Sequence, residues 1–243
     1  MNLIIDIGNN SAKFFLFKDD TIILHGRRDC KSLDFIEDLI REYAVESLIV
    51  SSVIRVDDKW KSTIKKACER TVWFDGTTPT EIKIDYRTPE TLGSDRLAAA
   101  IGARNEAPKR DLLVIDAGSA ITIDFIDAEG HFKGGNISPG VKMRLTSLHR
   151  LTDRLPLVNK EGDTPSFGYD TETAIRSGVI RGICHEIDGY INLVKEKYPD
   201  VLIFLTGGDE KTLINNIKNR IFADKFLVAK GLNKILKTIY GNK

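Results

Sequence analysis

Cysteine is scarce in this chain. The three cysteines, Cys30, Cys68 and Cys184, lie far apart. None belongs to a CxxC pair, so the sequence predicts neither a disulfide framework nor a zinc site. Isolated thiols in odd number are typical of a reducing compartment, and we expect the protein to be cytoplasmic.

Long apolar runs and an excess of one charge are also missing. The apolar runs are strand-sized, far below the roughly 20 residues of a membrane span, and Asp6 interrupts the first one. We therefore expect neither a membrane segment nor a signal peptide. The 36 basic and 35 acidic residues give a formal net charge of +1, so no bulk basic field predicts binding to nucleic acid or to a membrane.

The pattern of apolar residues over the 243 positions instead predicts an α/β protein with two lobes. The segments NLIIDIG, AKFFLF and TIILHG are predicted to be successive strands, and a similar set begins at LLVIDAG. Each half is predicted to run β-β-β-α and then through further α/β units, which sets the lobes at 1–110 and 111–243. Near the end, FLV (226–228) is predicted as a short strand, and the last helix is predicted to start at Gly231.

An Asp-x-Gly tripeptide ends the first strand of each half. It contains Asp6 and Gly8 in the first half, and Asp116 and Gly118 in the second. Glycine between two strands lets backbone amides approach a phosphate, and an aspartate at the strand end can hold a cation or its water. The alternative is that each tripeptide merely turns the chain. Their repetition favours a polyphosphate site, and the GxxxxGK[ST] and GxGxxG phosphate loops are absent from the sequence.

Three segments then carry a family resemblance. They resemble the two phosphate motifs and the adenosine motif of the actin, sugar-kinase and heat-shock-chaperone ATPase superfamily, and they are DIGNNSAK (6–13), DAGSAITID (116–124) and LTGGD (205–209). Within that superfamily the chain resembles the type III pantothenate kinases over almost its full length. Further matches to that family are GSDR (93–96), GGNISPG (134–140) and DTETAIRSG (170–178). Taken alone, LTGGD would be interpreted as an ordinary strand-to-helix turn.

The resemblance implies two ribonuclease H-like lobes of the actin-like ATPase type with a central nucleotide cleft. It also implies ATP-dependent phosphorylation of pantothenate to 4'-phosphopantothenate, the first step of coenzyme A biosynthesis. Two alternatives remain open: another small-molecule kinase of this superfamily that acts on a sugar, and a non-catalytic regulator that binds ATP.

On the nucleotide side, the resemblance assigns ATP contacts to Asp6, Ile7, Gly8, Asn9, Asn10, Ser11, Ala12, Lys13 and Ser119. Asp6 is expected to bind Mg²⁺ through water, and Asp116 to bind a monovalent cation, K⁺ or NH₄⁺. The family commonly has Thr or Ser at the position of Asn10 and Thr at that of Ser119. We expect ATP binding to persist, because amide and hydroxyl groups both form hydrogen bonds. Lys13 can also be interpreted as a solvated edge lysine, and Asp124 as a cation neighbour or a surface acid.

On the substrate side, the resemblance assigns contacts to Tyr86, Gly93, Ser94, Asp95, Arg96 and Thr171. Asp95 would be the catalytic base that accepts the proton of the substrate hydroxyl. The alternatives are structural: Asp95 as an acid in the first turn of a helix, Tyr86 as an aromatic packed at a strand end, and Thr171 as a helix cap. Gly93 and Ser94 begin the same helix as Asp95, where free amides favour an anion.

A long helix predicted over 172–198 is the expected contact of a homodimer, which the resemblance implies. Ala174, Gly178 and Gly182 share one side of this helix and would permit close packing. Burial within its own lobe is the alternative. The expected partners are therefore ATP, pantothenate and a second copy of the chain.

Overall fold

Two α/β units make up the part of the chain that the computed structural model describes, residues 1–9, 11–29 and 33–241. Unit 1 contains Met1–Pro108 and the chain from Leu227 onward, and unit 2 contains Lys109–Phe226. Within the described ranges, no helix has the length and the apolar character needed to span a membrane.

Unit 1 is built on a five-stranded sheet with the order β3-β2-β1-β4-β5. Its strands are β1 (Asn2–Ile7), β2 (Ala12–Lys18), β3 (Thr21–Arg28), β4 (Ser47–Ser52) and β5 (Arg70–Phe74), followed in the chain by a short strand β6 (Lys83–Ile84). Its helices are α1 (Phe35–Glu42), α2 (Asp58–Ala67), α3 (Ser94–Glu106) and α7 (Leu227–Tyr240). The first three strands form an antiparallel meander, and β4 and β5 run parallel to β1.

The alternation of side chains along β1 separates two layers of unit 1. Leu3, Ile5 and Ile7 are fully buried and pack in one apolar cluster with α1 and α2. Asn2 points the other way and donates a hydrogen bond of 2.9 Å to a buried asparagine of α7. Asp6 shares the face of Asn2, so its carboxylate lies on the side of the sheet that α3 and α7 cover.

The last helix, α7, packs in unit 1, whereas the sequence placed it in the lobe over 111–243. Two glycines, Gly102 of α3 and Gly231 of α7, account for this difference. A Cβ on Gly231 would collide with the carbonyl oxygen of Ala98, and one on Gly102 with that of Leu227. Backbones that approach this closely need glycine at the contact. The predicted strand FLV is wrong, because α7 already begins at Leu227.

The strands of unit 2 follow the order β11-β10-β7-β8-β9. They are β7 (Leu112–Ala117), β8 (Ala120–Ile126), β9 (His131–Pro139), β10 (Leu202–Thr206) and β11 (Phe222–Ala223), with helices α4 (Val141–Arg150), α5 (Thr171–Lys197) and α6 (Glu210–Leu213). Strands β7, β8 and β9 form an antiparallel meander, and β10 runs parallel to β7. Unit 2 therefore repeats the meander and the added parallel strand of unit 1, which confirms the predicted α/β class and its repeated β-β-β start.

Helix α5 presents its apolar face to the core of unit 2. Ile175, Ile183 and Ile191 are buried there in one cluster with side chains of β7 and β10. Gly178 and Gly182 lie on another side, and among the residues that the structure describes a Cβ added at either position would meet no atom within 4 Å beyond the adjacent backbone of the helix itself. The isoleucines thus serve the core of their own unit, while the small-residue side is open.

Candidate active site

The loop between β1 and β2 forms the first Asp-x-Gly hairpin. The amide of Gly8 donates a hydrogen bond of 2.9 Å to the carbonyl of Ser11. The backbone at Gly8 is not left-handed, and an added Cβ would make only an ordinary contact, 3.5 Å from that carbonyl oxygen. The fold itself does not require glycine here, which favours a role in admitting a ligand to the backbone over a simple turn. Asn10, another predicted ATP contact, lies outside the described residues.

A row of polar side chains crosses the sheet at the end of β1. Ser51 of β4 lies beside Asp6 on one side, and Lys13 of β2 and then Arg27 of β3 lie on the other. Lys13 Nζ pairs with Asp6 Oδ2 at 3.4 Å, and Arg27 Nε donates to Ser11 Oγ at 2.6 Å. Two positively charged side chains therefore lie beside the hairpin, and such side chains form strong hydrogen bonds with phosphate.

The carboxylate of Asp6 is mostly buried, with 13% of its side chain exposed. Burial raises the pKa of Asp6; the charge of Lys13 lowers it, and the charge of Asp95 raises it again. The net result is a pKa above the ordinary range of an aspartate. A nearby like charge disfavours ionisation, and the effect of Asp95 is consistent with its place at the start of α3, near the end of β1 in unit 1.

Asp95 lies in the first turn of α3. Its Oδ1 accepts a hydrogen bond of 2.9 Å from the amide of Arg96. The same oxygen lies 2.6 Å from where a Cβ on Gly93 would be, so the missing side chain leaves room for the carboxylate. Gly93 is also the N-cap of α3 and offers no side chain to cap it, which keeps this helix start suited to an anion.

Arg96 and Tyr86, two predicted substrate contacts, meet in unit 1. The guanidinium carbon of Arg96 lies over the ring of Tyr86, 5.7 Å from its centre. Arg96 is only 5% exposed. A buried guanidinium beside an aromatic ring is suited to bind a carboxylate or a phosphate through two parallel hydrogen bonds.

Ser51 is a site residue that the sequence reasoning missed. It is fully buried, and its Oγ lies 2.8 Å from Oγ of Ser94 at the start of α3. This hydrogen bond joins β4 to α3 next to both aspartates. The only signal in the sequence is weak: two serines end the apolar strand SLIVSS.

The loop between β7 and β8 repeats the first hairpin in unit 2. The amide of Gly118 donates to the carbonyl of Ala120 at 3.0 Å, and an added Cβ would be 3.5 Å from Asp116 Oδ1, again an ordinary contact. Gly140, which ends GGNISPG, supports this loop: its amide donates to the carbonyl of Ser119 at 3.1 Å. A Cβ on Gly140 would collide with the carbonyl oxygens of Gly118 and Ser119. GGNISPG thus holds the backbone of the loop, while the Ser119 side chain stays exposed.

The LTGGD segment follows β10 and lies beside Asp116. Thr206 is the register partner of Asp116. Gly207 has a left-handed backbone with φ of 101°, and the space of its missing side chain holds Asp116 Oδ1 and the carbonyl oxygen of Ala117. Carboxylate and carbonyl oxygens therefore gather at this point, and these are the ligands that hard cations prefer.

Two structural alternatives considered for the sequence are wrong. Asp124 is not a surface acid, because it is 1% exposed. Thr171 is not the cap of α5: Asp170 is, and its carboxylate accepts a hydrogen bond of 2.8 Å from the amide of Thr173. Thr171 instead occupies the first helical position with its side chain exposed.

The acids of the two hairpins fit the cations expected for the site. In the described ranges, no group of three or more His, Cys, Asp or Glu side chains forms a protein-only metal cage. Mg²⁺ commonly uses one or two carboxylates together with water and substrate phosphates, and Asp6 supplies such a carboxylate. At Asp116, the oxygens around Gly207 are of the type that a monovalent cation takes.

The fold and the hairpins define the class of protein. A ROK family glucokinase from Streptomyces griseus, solved with glucose and AMPPNP, aligns with a TM-score of 0.53 at 12% identity and covers 98% of both chains. A protein from Campylobacter jejuni, described as a candidate transcriptional activator of the Baf family, aligns with a TM-score of 0.64 at 25% identity, covering 99% of this chain and 100% of that one. The chain has the two-lobed fold of the sugar kinases and actin-like ATPases.

The sequence then identifies the family within this class. The model of the type III pantothenate kinases matches residues 2–193. A type III pantothenate kinase from Bacteroides fragilis is 49% identical over 236 residues, which cover 97% of each chain. The chain belongs to the type III pantothenate kinase family.

Proposed function

We propose that this protein transfers the γ-phosphoryl group of ATP to the primary hydroxyl of pantothenate, forming 4'-phosphopantothenate for coenzyme A synthesis. The observation that carries the proposal is family membership over almost the full length, at 49% identity to a relative of that name. The presence in unit 1 of Asp6 near the end of β1 and of Asp95 at the start of α3 supports it, since the reaction needs both a cation site and an acceptor for the hydroxyl proton.

Asp95 is the base in this proposal. It orients the attacking hydroxyl and accepts its proton. Its position at the uncapped start of α3 supports this role, because the amides there favour the negative charge of substrate or transferring phosphoryl group. Tyr86, Gly93, Ser94, Arg96 and Thr171 are the proposed pantothenate contacts, and the buried guanidinium of Arg96 suits the pantothenate carboxylate.

The two hairpins are the proposed ATP contacts, through residues 6–13 and Ser119. Mg²⁺ would be held at Asp6 through water and a monovalent cation, K⁺ or NH₄⁺, at Asp116. When bound, these ions supply positive charge that neutralises the phosphate oxygens. Lys13 and Arg27 add fixed positive charge beside the first hairpin. A Cβ at Gly8 or Gly118 would make only ordinary contacts, so the fold itself does not need glycine there. This supports a role for both glycines in letting phosphate approach the backbone of the two loops.

We also propose that the protein acts in the cytoplasm as a homodimer. The free, buried thiols of Cys68 and Cys184 are consistent with a reducing compartment. The open side of α5, with Gly178 and Gly182, is the proposed dimer contact, because small residues there let a second helix approach closely.

The proposal is tested by measuring ADP release from ATP with pantothenate, with glucose, with N-acetylmannosamine and without an acceptor. We expect rapid release with pantothenate alone and a phosphorylated product of the mass of 4'-phosphopantothenate. Release with a sugar and none with pantothenate would identify a sugar kinase. ATP binding without release in any of the four reactions would indicate a non-catalytic regulator.

A further inference from the structure

We propose that Ser51 is a positioning residue for phosphoryl transfer: its buried hydroxyl holds the start of α3 so that Asp95 stays beside Asp6. This inference rests on the proposed function, in which Asp95 is the base. Ser51 itself touches neither substrate nor nucleotide in this account.

The location of Ser51 links the neighbours of both acids. In the parallel pairing of β1 and β4, Ser51 is the register partner of Asp6. Its hydrogen-bond partner, Ser94, immediately precedes Asp95 in α3. One hydrogen bond of 2.8 Å therefore connects the strand position beside the first acid to the helix position beside the second.

The hydrogen bond between Ser51 and Ser94 is buried, which strengthens its effect on the position of α3. Ser51 is 0% exposed and Ser94 is 7% exposed, so water does not compete readily for either hydroxyl. Since the N-cap residue of α3, Gly93, offers no side chain, the hydrogen bond between Ser51 and Ser94 helps to fix this end of the helix.

The C-terminal half of α3 is held in place by a contact that does not involve Ser51. Gly102 lies against the backbone of Leu227 in α7, so the body of the helix stays packed without Ser51. Loss of the Ser51 hydroxyl should therefore shift the first turn of α3 and leave the rest in place. A displacement of about 1 Å at a reacting group can cost about 10²-fold in rate, so we expect kcat to fall by about tenfold to a hundredfold.

The experiment compares Ser51→Ala with Ser51→Thr, which keeps the hydroxyl, and with Ser52→Ala. Ser52 is the matched control because its Oγ donates only locally, to the carbonyl of Ile54 at 2.8 Å. Each change is made in the wild-type chain and in Asp95→Asn, and kcat, KM for ATP and melting temperature are measured. If Ser51→Ala does not fold, Ser51→Cys, which keeps the volume but donates only weakly, takes its place.

The positioning role predicts a low kcat for Ser51→Ala with the KM for ATP changed less than about twofold, recovery in Ser51→Thr, and no loss in Ser52→Ala. In the Asp95→Asn background, Ser51→Ala should add almost nothing, because the group it positions is gone. Equal fold losses in both backgrounds, or normal turnover of Ser51→Ala, would overturn it. Normal turnover of Asp95→Asn alone would instead overturn the proposed base, so the two failures are distinguishable.

Discussion

Asp6 and Asp95 lie far apart in the sequence of unit 1, yet the charge of Asp95 raises the pKa of Asp6. Asp6 is the last residue but one of strand β1, and Asp95 lies in the first turn of α3. Two neighbouring carboxylates destabilise the folded protein when both are ionised. The same arrangement suits a site that binds a divalent cation and accepts a proton. The predictions below start from this relationship.

The first prediction concerns stability and pH in metal-free protein. Because the pKa of Asp6 is raised in the folded state, ionised Asp6 is less favourable there than in the unfolded chain. Asp6→Asn should therefore have a larger free energy of unfolding than the wild type at pH 7. The advantage should shrink as the pH falls toward about 4, because Asp6 takes up its proton at a higher pH in the folded protein than in the unfolded chain, where the pKa of an aspartate is about 3.9.

Lys13→Met should have the opposite effect on the free energy of unfolding, because the charge of Lys13 lowers the pKa of Asp6 and so favours its ionised form. It should destabilise the protein at pH 7 and have less effect near pH 4. Urea titrations of the three proteins at both pH values check this. An Asp6→Asn protein less stable than wild type at pH 7 would contradict the raised pKa.

The second prediction separates binding glycines from packing glycines. Gly8→Ala and Gly118→Ala should fold normally, with the free energy of unfolding changed by less than about 1 kcal/mol, because the added Cβ meets only ordinary contacts. Each should weaken ATP binding, since losing one hydrogen bond to a charged phosphate costs about 1.5–3 kcal/mol, or about tenfold to a hundredfold in Kd.

Gly140→Ala is the contrasting variant. Its Cβ would collide with two carbonyl oxygens of the second hairpin, so it should be less stable by about 1–3 kcal/mol. Melting curves and calorimetric titration with a non-hydrolysable ATP analogue check all three variants. Unchanged ATP affinity in both Gly8→Ala and Gly118→Ala would argue that the hairpins are ordinary turns.

The extent to which the sequence predicted this site depended on whether the signal was local. The Asp-x-Gly hairpins were found because strand, turn glycine and acid lie within a few residues and occur twice. The link between Ser51 and Ser94 was missed because its partners are 43 residues apart and serine at a strand end is common. Proximity of that kind is created only when α3 packs on the sheet.

The unit to which α7 belongs could not be read from chain order for the same reason. The helix follows unit 2 directly in sequence, and its apolar spacing says only that one face is buried. The close backbone contact at Gly102 and Gly231 determines that α7 packs against α3. In the sequence, a glycine inside a helix indicates only a lower helix propensity. The short strand predicted at FLV failed because three apolar residues suit the start of an amphipathic helix equally well.

The third prediction is dependence on a monovalent cation. With Mg²⁺ present, turnover should be much faster in KCl or NH₄Cl than in NaCl at the same ionic strength, and Asp116→Asn should lose this difference. The reason is that the Asp116 carboxylate and the carbonyl oxygen of Ala117 lie together beside Gly207. Equal rates in sodium and potassium buffers would exclude the site.

The fourth prediction is a dimer that depends on the open side of α5. Light scattering at micromolar concentration should give twice the mass of the chain, and Gly182→Arg should give a folded monomer. Beyond the adjacent helix backbone, the Cβ of the arginine meets no atom of the described part of the chain within 4 Å, so the melting curve should stay cooperative. A wild-type monomer, or a Gly182→Arg protein that stays dimeric, would remove α5 from the interface.

The most direct test of the central claim is the pantothenate-dependent kcat of Asp95→Asn, measured on protein whose melting temperature and ATP affinity match the wild type. Asparagine keeps the size of the side chain and can still bond to the amide of Arg96, but it cannot accept the hydroxyl proton. Loss of a general base typically costs about 10²–10⁴-fold, and a fall in that range is the predicted result. A kcat close to the wild-type value would contradict the account and leave Asp95 as an acid that serves only the start of α3.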